Sequence, residues 1–224
     1  MNVSLLKYPK KSHRKSICIP RNSALLAEFL GIEFGDGGIG NSWQVIITLN
    51  AISDVKYSQY VVKLINKLFG VEVAVRKRKN ENTLQLVSSS TSLVDFLVTK
   101  GAVRGNKVKQ HFDVPDWVRK NMKYEKAFVR WLVDTDGCLY IHRHTIKGIT
   151  YKNIGFCFTS GSQNLLNSVA NILSKFKIKP HVIDNGKRIY LYSAKAITHY
   201  LAAFGSSNPR ITNTYKIWRG AGVV

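Results

Sequence analysis

Acidic residues are scarce: 13 aspartates and glutamates stand against 34 lysines and arginines, a formal charge of +21 over 224 residues. Such a deficit bears on partners and solubility rather than on fold, and its commonest meaning is a polyanion partner. Cysteine is nearly absent too. Cys18, Cys138 and Cys157 are odd in number and irregular in spacing, which argues against a disulfide framework or a zinc module and reads as packed thiols. No uncharged apolar run is long enough to span a bilayer. Met1 to Ser16 is basic and polar, without the apolar stretch of a signal peptide. The expectation is therefore an intracellular protein with no membrane partner. With 45% hydrophobic residues the chain still has the means for a core, at a length suited to one large or two small domains. The charge is threaded through patterned segments, unlike a basic disordered tail; a ribosomal-type or membrane-surface basic protein is the plainer alternative.

The few acids fall in a pattern. Leu25 to Gly37 and Ala127 to Gly137 are apolar, helix-like runs that each stop at an acid followed by glycine: Phe34-Gly35-Asp36-Gly37 and Asp134-Thr135-Asp136-Gly137. A carboxylate at the end of an apolar stripe needs a cation or a donor to meet it. The helix dipole also disfavours negative charge at that end. Asp36 and Asp136 together suggest a paired metal site.

Around these runs the chain reads as one unit written twice. In the first copy Ser23 caps a helix running to Asp36. A strand pair follows, with Trp43, Val45, Ile47 and Leu49 alternating against Gln44, Ile46 and Thr48. Ser53 opens a second helix with Val61, Leu64, Ile65 and Leu68 on one stripe, ended by Gly70. A hairpin from Val71 to Arg78 turns around Asn80 and returns over Thr83 to Val87, and a last helix spans Thr91 to Lys100. The second copy repeats the order. Strands run from Cys138 to His144 and Ile154 to Thr159, a helix from Gln163 to Phe176, and a hairpin from Ile178 to Tyr192 turns at Asp184-Asn185-Gly186. A closing helix covers Ala194 to Phe204. The predicted architecture is α+β: two pseudo-symmetric αββαββα halves, each with an antiparallel sheet saddle, joined by a connector. The predicted boundaries are a basic arm at 1–20, halves at 21–105 and 122–206, a connector at 106–121 and a C-terminal tail at 207–224.

On the two acid-ended runs the chain resembles the LAGLIDADG homing endonuclease family. Phe29 to Gly37 and Val129 to Gly137 both align on that family's nine-residue motif, and Val114-Pro115-Asp116-Trp117-Val118 looks like its connector. The resemblance covers nearly the whole chain and points to the single-chain, two-motif form, associated with introns or inteins. It implies that the motif helices pack side by side and that Asp36 and Asp136 meet over the minor groove, binding metal between the scissile phosphates. The carbonyls of Gly35 and Thr135 would also face the metals. It further implies a second role for cations beside the active phosphates, for which Lys107, Lys109 and Arg210 are candidates. The chain departs from the motif at Phe34, where the family has an acid, and at Trp131, where it has glycine or alanine. Trp131 requires small partners such as Gly31 and Gly35 opposite it.

Phosphodiester cleavage needs an activated water and a sink for charge on the leaving oxygen, which a pair of metal ions supplies. Magnesium keeps waters and asks for few protein ligands, so one acid per half suffices. Calcium is the expected non-cleaving substitute and manganese a further candidate. The strands suit double-stranded DNA. Arg76 and Arg78 project opposite Val71, Val73 and Val75, while Thr83 and Gln85 lie opposite Leu84 and Leu86. Arg188, Tyr190 and Tyr192 alternate with Ile189 and Leu191, and Tyr140, His142 and His144 oppose Leu139 and Ile141. With Gln44, Ile46 and Thr48, these faces fit ribbons reading base edges in the major groove. Lys7 to Lys15 reads as an arm on the DNA backbone, and His111 and His199 as packing or surface residues. The expected function is a monomeric, site-specific, metal-dependent double-strand DNA endonuclease. Its competitors are a non-cleaving relative (an intron RNA maturase or a transcription regulator) and a general nucleic-acid packaging protein.

Overall fold

The computed structural model describes residues 16–79, 81–183 and 185–220; the basic arm at Lys7 to Lys15 lies outside them, as do the turn residues Asn80 and Asp184. The first half begins with α1 (Ala24–Gly35), whose cap Ser23 accepts a bond from the Leu26 amide at 3.2 Å. Then come β1 (Gly37–Asn41), β2 (Gln44–Asn50) and α2 (Val55–Phe69), followed by β3 (Ala74–Lys77), β4 (Thr83–Ser89) and α3 (Thr91–Thr99). A 3₁₀ turn at Val108–Gln110 and the short α4 (Asp116–Arg119) form the connection to α5 (Met122–Asp136). The second half continues with β5 (Gly137–Ile146), β6 (Ile149–Thr159), α6 (Gln163–Lys175), β7 (His181–Ile183), β8 (Arg188–Leu191), α7 (Ala194–Ala203) and α8 (Pro209–Gly220).

The duplication is visible in the sheets. Both are four-stranded and antiparallel, ordered β1-β2-β4-β3 and β5-β6-β8-β7. Local signals account for most elements. Val61, Leu64, Ile65 and Leu68 are buried along α2, which ends at Gly70 in the left-handed region at φ 63°. Ser90, Asn121, Ser162 and Ser193 cap α3, α5, α6 and α7 by accepting amide bonds.

Several expectations need correction. Asp54 rather than Ser53 is the residue at the start of α2; its carboxylate accepts the Asn50 amide at 3.1 Å, and Ser53 Oγ donates to it. β3 is only Ala74–Lys77 and wholly exposed, so Val71 and Val73 precede the strand rather than share it. β5 and β6 run on past the expected His144 into a long arm. A two-residue turn, Lys147 and Gly148, closes it, both at positive φ as the twist of a hairpin prefers. The span read as a tail contains α8, whose Ile211 and Trp218 are buried and which packs on β5 and β6. Among the described residues no helix is long and apolar enough to cross a membrane.

One apolar cluster runs through both halves, with α1 and α5 at its centre. Glycine makes their approach possible: a Cβ on Gly31 would overlap the Phe128 carbonyl oxygen, and one on Gly35 the Thr135 side chain. The small partners expected opposite Trp131 are thus present, yet they face Phe128 and Thr135. Trp131 turns away to stack on Tyr57 and Tyr60 of α2, at 5.6 and 4.8 Å between ring centroids. The overlap at Gly31 is with backbone, which cannot step aside. Gly31→Ala should therefore destabilise the fold by about 1–3 kcal/mol, the range for overpacking, measured by denaturant unfolding. A variant as stable as the parent would disprove the close approach.

Candidate active site

α1 and α5 bring their carboxylate ends to one place. Asp36 is the residue on which α1 stops; its carbonyl accepts the Thr48 amide at 2.9 Å, tying the helix end to β2. Asp136 closes α5. Each acid is followed by a turn that only glycine permits. A Cβ on Gly37 would stand 2.5 Å from the Glu33 carbonyl oxygen, and one on Gly137 2.5 Å from that of Val133. Across the pair, Asp136 Oδ2 lies 3.4 Å from where a Cβ on Gly35 would be.

The electrostatics follow from that meeting. Burial raises the Asp36 carboxyl from 3.8 to about 7, with the charges of Asp136 and Asp54 adding to the rise and Arg210 and Lys107 opposing it. Asp136 is open at the mouth of a cavity, and the protein wall behind it still raises its carboxyl to about 6 against the pull of Lys107.

Two cations approach the acids, Lys107 from the connection between the halves and Arg210 from α8. Lys107 Nζ donates to the carbonyls of Glu33 and Phe34 at 2.8 Å, Gly37 at 2.6 Å and Gly35 at 3.3 Å, closing the end of α1. Burial pushes this ammonium's pKa down, and the charges of Glu33, Asp136 and Asp36 resist. Lys109, two residues on, stands exposed on the 3₁₀ turn with its amide bonded to Asn106 Oδ1. Of the two lysines the sequence left open, the structure brings only Lys107 to the acids. Arg210, in the first turn of α8, reaches across to the buried Asp54 with Nε 3.7 Å from Oδ1. Asp54 had no signal as a site residue: its bonds to Asn50 and Ser53 are local, while its pairing with Arg210 and its charge beside Asp36 emerge only in the fold.

The motif position ahead of each acid is used in opposite ways. Asp134 is fully buried; it accepts the Ser206 hydroxyl at 2.5 Å and the Ser207 amide at 2.7 Å, while Asn208 Nδ2 donates to its carbonyl at 2.6 Å. Burial raises its carboxyl to about 6 despite those bonds. Phe34 instead packs on Phe112 and Phe128, at 5.4 and 5.2 Å between centroids. Beside it Glu33 is fully buried, neither carboxylate oxygen hydrogen-bonded, and burial raises it to about 7. A cavity of about 510 Å³ opens here, lined by Phe34, Gly35, Lys107, Asp136, Thr159 and Arg188 among others.

Among the described residues no group of three or more histidines, cysteines and acids could hold a metal ion. The donors on offer are two facing carboxylates, all oxygen, on negative helix ends. That set suits a hard divalent cation that keeps waters or phosphate oxygens for the rest of its shell. The Gly35 carbonyl is engaged by Lys107, and the Thr135 hydroxyl by the Leu132 carbonyl at 2.8 Å.

The expected reading faces hold together in register. On the first sheet Thr48, Gln85 and Arg76 form one cross-strand row, with Gln44 beside Ser89 and Thr83 opposite Asn50. Arg78 continues this face, its amide bonded to the Thr83 carbonyl at 3.1 Å. Ile46 shares it, but in an apolar row with Val87 and Ala74. On the second sheet Tyr140, His142 and His144 lie on the exposed side of β5, His142 and His144 stacked at 5.6 Å. Tyr190 stacks on Tyr192 at 5.4 Å, and Arg188 pairs with Thr159 at the strand's other end.

No family model matches the chain, and no curated protein matches its sequence. Solved structures do. Full-length DUF199/WhiA from Thermatoga maritima superposes with a TM-score of 0.56 at 16% identity, covering 92% of this chain and 64% of that protein. The chain thus spans about 64% of that relative's length, whose N-terminal domain is described as a LAGLIDADG domain. Mesophilic variants of the homing endonuclease I-DmoI give 0.54 at 17% identity, covering 82% of this chain and 96% of theirs. I-DmoI in complex with DNA and Mn gives 0.52 at 20%, covering 82% and 97%. At such identities the likeness is one of fold, and the fold is the two-half LAGLIDADG architecture.

The raised carboxyls carry a sign. The folded protein holds a proton on Asp36 that the unfolded chain releases near 3.8, so metal-free stability falls as pH rises from about 4 to about 7. Asp36→Asn should flatten that fall and melt higher than the parent at alkaline pH in a chelator, the difference vanishing at acid pH. Thermal melts across pH check it; equal alkaline melting temperatures would refute the cost of holding a charged carboxylate there.

Proposed function

We propose that a chain with this fold and this pair of acids is a site-specific double-strand DNA endonuclease, acting as a monomer with a divalent metal, magnesium first. The observation that carries the reading is the meeting of Asp36 and Asp136 at the paired helix ends, where each raises a demand for a cation that the protein itself only partly answers. Asp36 and Asp136 would hold the metal, which when bound activates a water and offsets charge on the leaving oxygen. Lys107, at the end of α1, and Arg210, whose charge also acts on Asp36, would offset charge on the scissile phosphates. The halves at 21–105 and 122–206 would each lay an outward sheet face in the major groove, with the net charge of +21 supplying salt-dependent affinity. The connector would deliver Lys107, and α8 would deliver Arg210.

A non-cleaving binder on the same scaffold is the competing reading, and the fold alone does not separate the two. The retention of both acids favours cleavage. Selection of cut sequences from a randomised duplex library in magnesium would identify the target. On that target, Asp36→Asn or Asp136→Asn should abolish double-strand cutting while binding persists, and full cutting by either variant would end the proposal. Lys107→Met should slow cutting by about 10²-fold with affinity little changed, the scale of a lost proton-transfer or charge-stabilising group. An unaltered single-turnover rate would remove Lys107 from the chemistry.

A further inference from the structure

The sequence reads the cysteines as incidental, yet the fold brings two of them face to face. Cys138 and Cys157 are direct cross-strand partners in the β5–β6 ladder. Both side chains alternate with inward Leu139, Phe156 and Phe158, so both point to the outward face. Cys138 is exposed, Cys157 half-buried, and neither is in a disulfide. The row continues outward: Cys157 pairs with Tyr190, and Tyr190 with His181. Next along the strand the Tyr140 ring lies where a Cβ on Gly155 would be. The two thiols therefore sit on a floor of exposed aromatic side chains, one row beyond Asp136.

We propose that Cys138 and Cys157 are a vicinal dithiol that closes reversibly to a cross-strand disulfide, and that a bound duplex covers it. The geometry is already in place. Directly opposed residues of an antiparallel pair have Cα atoms about 4.5–5.5 Å apart, inside the window of about 4.4–6.8 Å that a disulfide spans. Closure needs the two strands to draw only slightly together. Their Cβ atoms, at about 4.5–5.5 Å in such pairs, are wider than the mean of about 3.8 Å in relaxed disulfides. The bond is accordingly a strained, readily reduced one, of the kind that switches rather than staples.

The chemistry balances with a low-molecular-weight disulfide as oxidant. The exposed Cys138 thiolate attacks one sulfur of oxidised glutathione, forming a mixed disulfide and releasing one glutathione thiolate. Cys157 then attacks Cys138 Sγ and expels the second. Two protons and two electrons leave the protein, and the oxidant departs as two thiols. Closure also draws Cys157 Sγ away from the Tyr190 hydroxyl with which it interacts, on the face that carries the Tyr190–Tyr192 stack. Cys18 is exposed too, its amide bonded to the Phe69 carbonyl at the far end of α2, but among the described residues it has no cross-strand thiol opposite it, so an adduct there cannot close and serves as an internal control.

The full chain would be treated with oxidised glutathione and its intact mass and proteolytic peptides read. The expected result is loss of two hydrogens and a peptide linking 138 to 157, reversed by a thiol reductant and unaffected by Cys18→Ser. Cys157→Ser should instead stop at a glutathione adduct on Cys138. Unchanged mass, or adducts that never close in the parent, would overturn the dithiol. The second clause rests on the proposed function and is read separately, with a duplex of about 30 base pairs and random sequence at low salt. That duplex should slow closure by about tenfold or more, the cost of covering an otherwise accessible thiol. Closure at an unchanged rate beside bound duplex would move the pair off the binding face, while a closing dithiol in a protein that never cuts DNA would sink the nuclease reading alone.

Discussion

The structure depends on one close approach, that of α1 to α5 through Gly31 and Gly35. Without side chains at those positions the two helix backbones come together, and the ends they carry come together with them. Both ends are negative twice over, by dipole and by carboxylate. The apolar cluster around the pair supplies the stabilisation that holds this arrangement against its own repulsion. Burial that serves packing thereby also walls in Asp36 and backs Asp136 at the cavity mouth, which is why their carboxyls rise to about 7 and about 6.

The surrounding cations are arranged around that constraint rather than scattered. Lys107 closes the last turn of α1 with four carbonyls, and Arg210 pairs with Asp54 beside Asp36. Both charges therefore act on Asp36, one from the connector and one from α8. In a chain with 34 lysines and arginines, location and not number marks these two. Much of the remaining positive charge among the described residues lies on exposed helix, strand and turn positions, where it suits a polyanion with no demand for fixed geometry.

Much of this was legible in the chain itself, because the signals were local. Ser23 capping α1, the α2 stripe ending at Gly70, and the alternation of Arg188, Ile189, Tyr190 and Leu191 each depend on neighbours a few residues away. The acid-glycine endings located the helix ends for the same reason. What escaped was set by distant contacts. Lys107 and Lys109 are indistinguishable in sequence, and only the end of α1 selects between them. Asp54 is fixed locally by Asn50 and Ser53, and only the fold sets its charge beside Asp36 and Arg210. α8 escaped because its two buried residues, Ile211 and Trp218, leave too thin an apolar stripe to announce a helix. The β5–β6 arm runs past His144 on exposed residues, its Ile146–Ile149 pair included, whose strand character comes from pairing rather than from alternation with a core.

The unlike treatment of the two motif helices has a consequence for how such a molecule can change. The first helix end is held by an ammonium on its carbonyls with Phe34 in an aromatic nest; the second is held by Asp134 gripping the loop at Ser206 and Ser207. Neither half now contains the parts that the other uses. Two copies of the first half would meet without the Asp134 anchor, and two copies of the second without Lys107. The repeated order is therefore symmetric in its elements and asymmetric in its fastenings, and neither half set against a copy of itself would carry both.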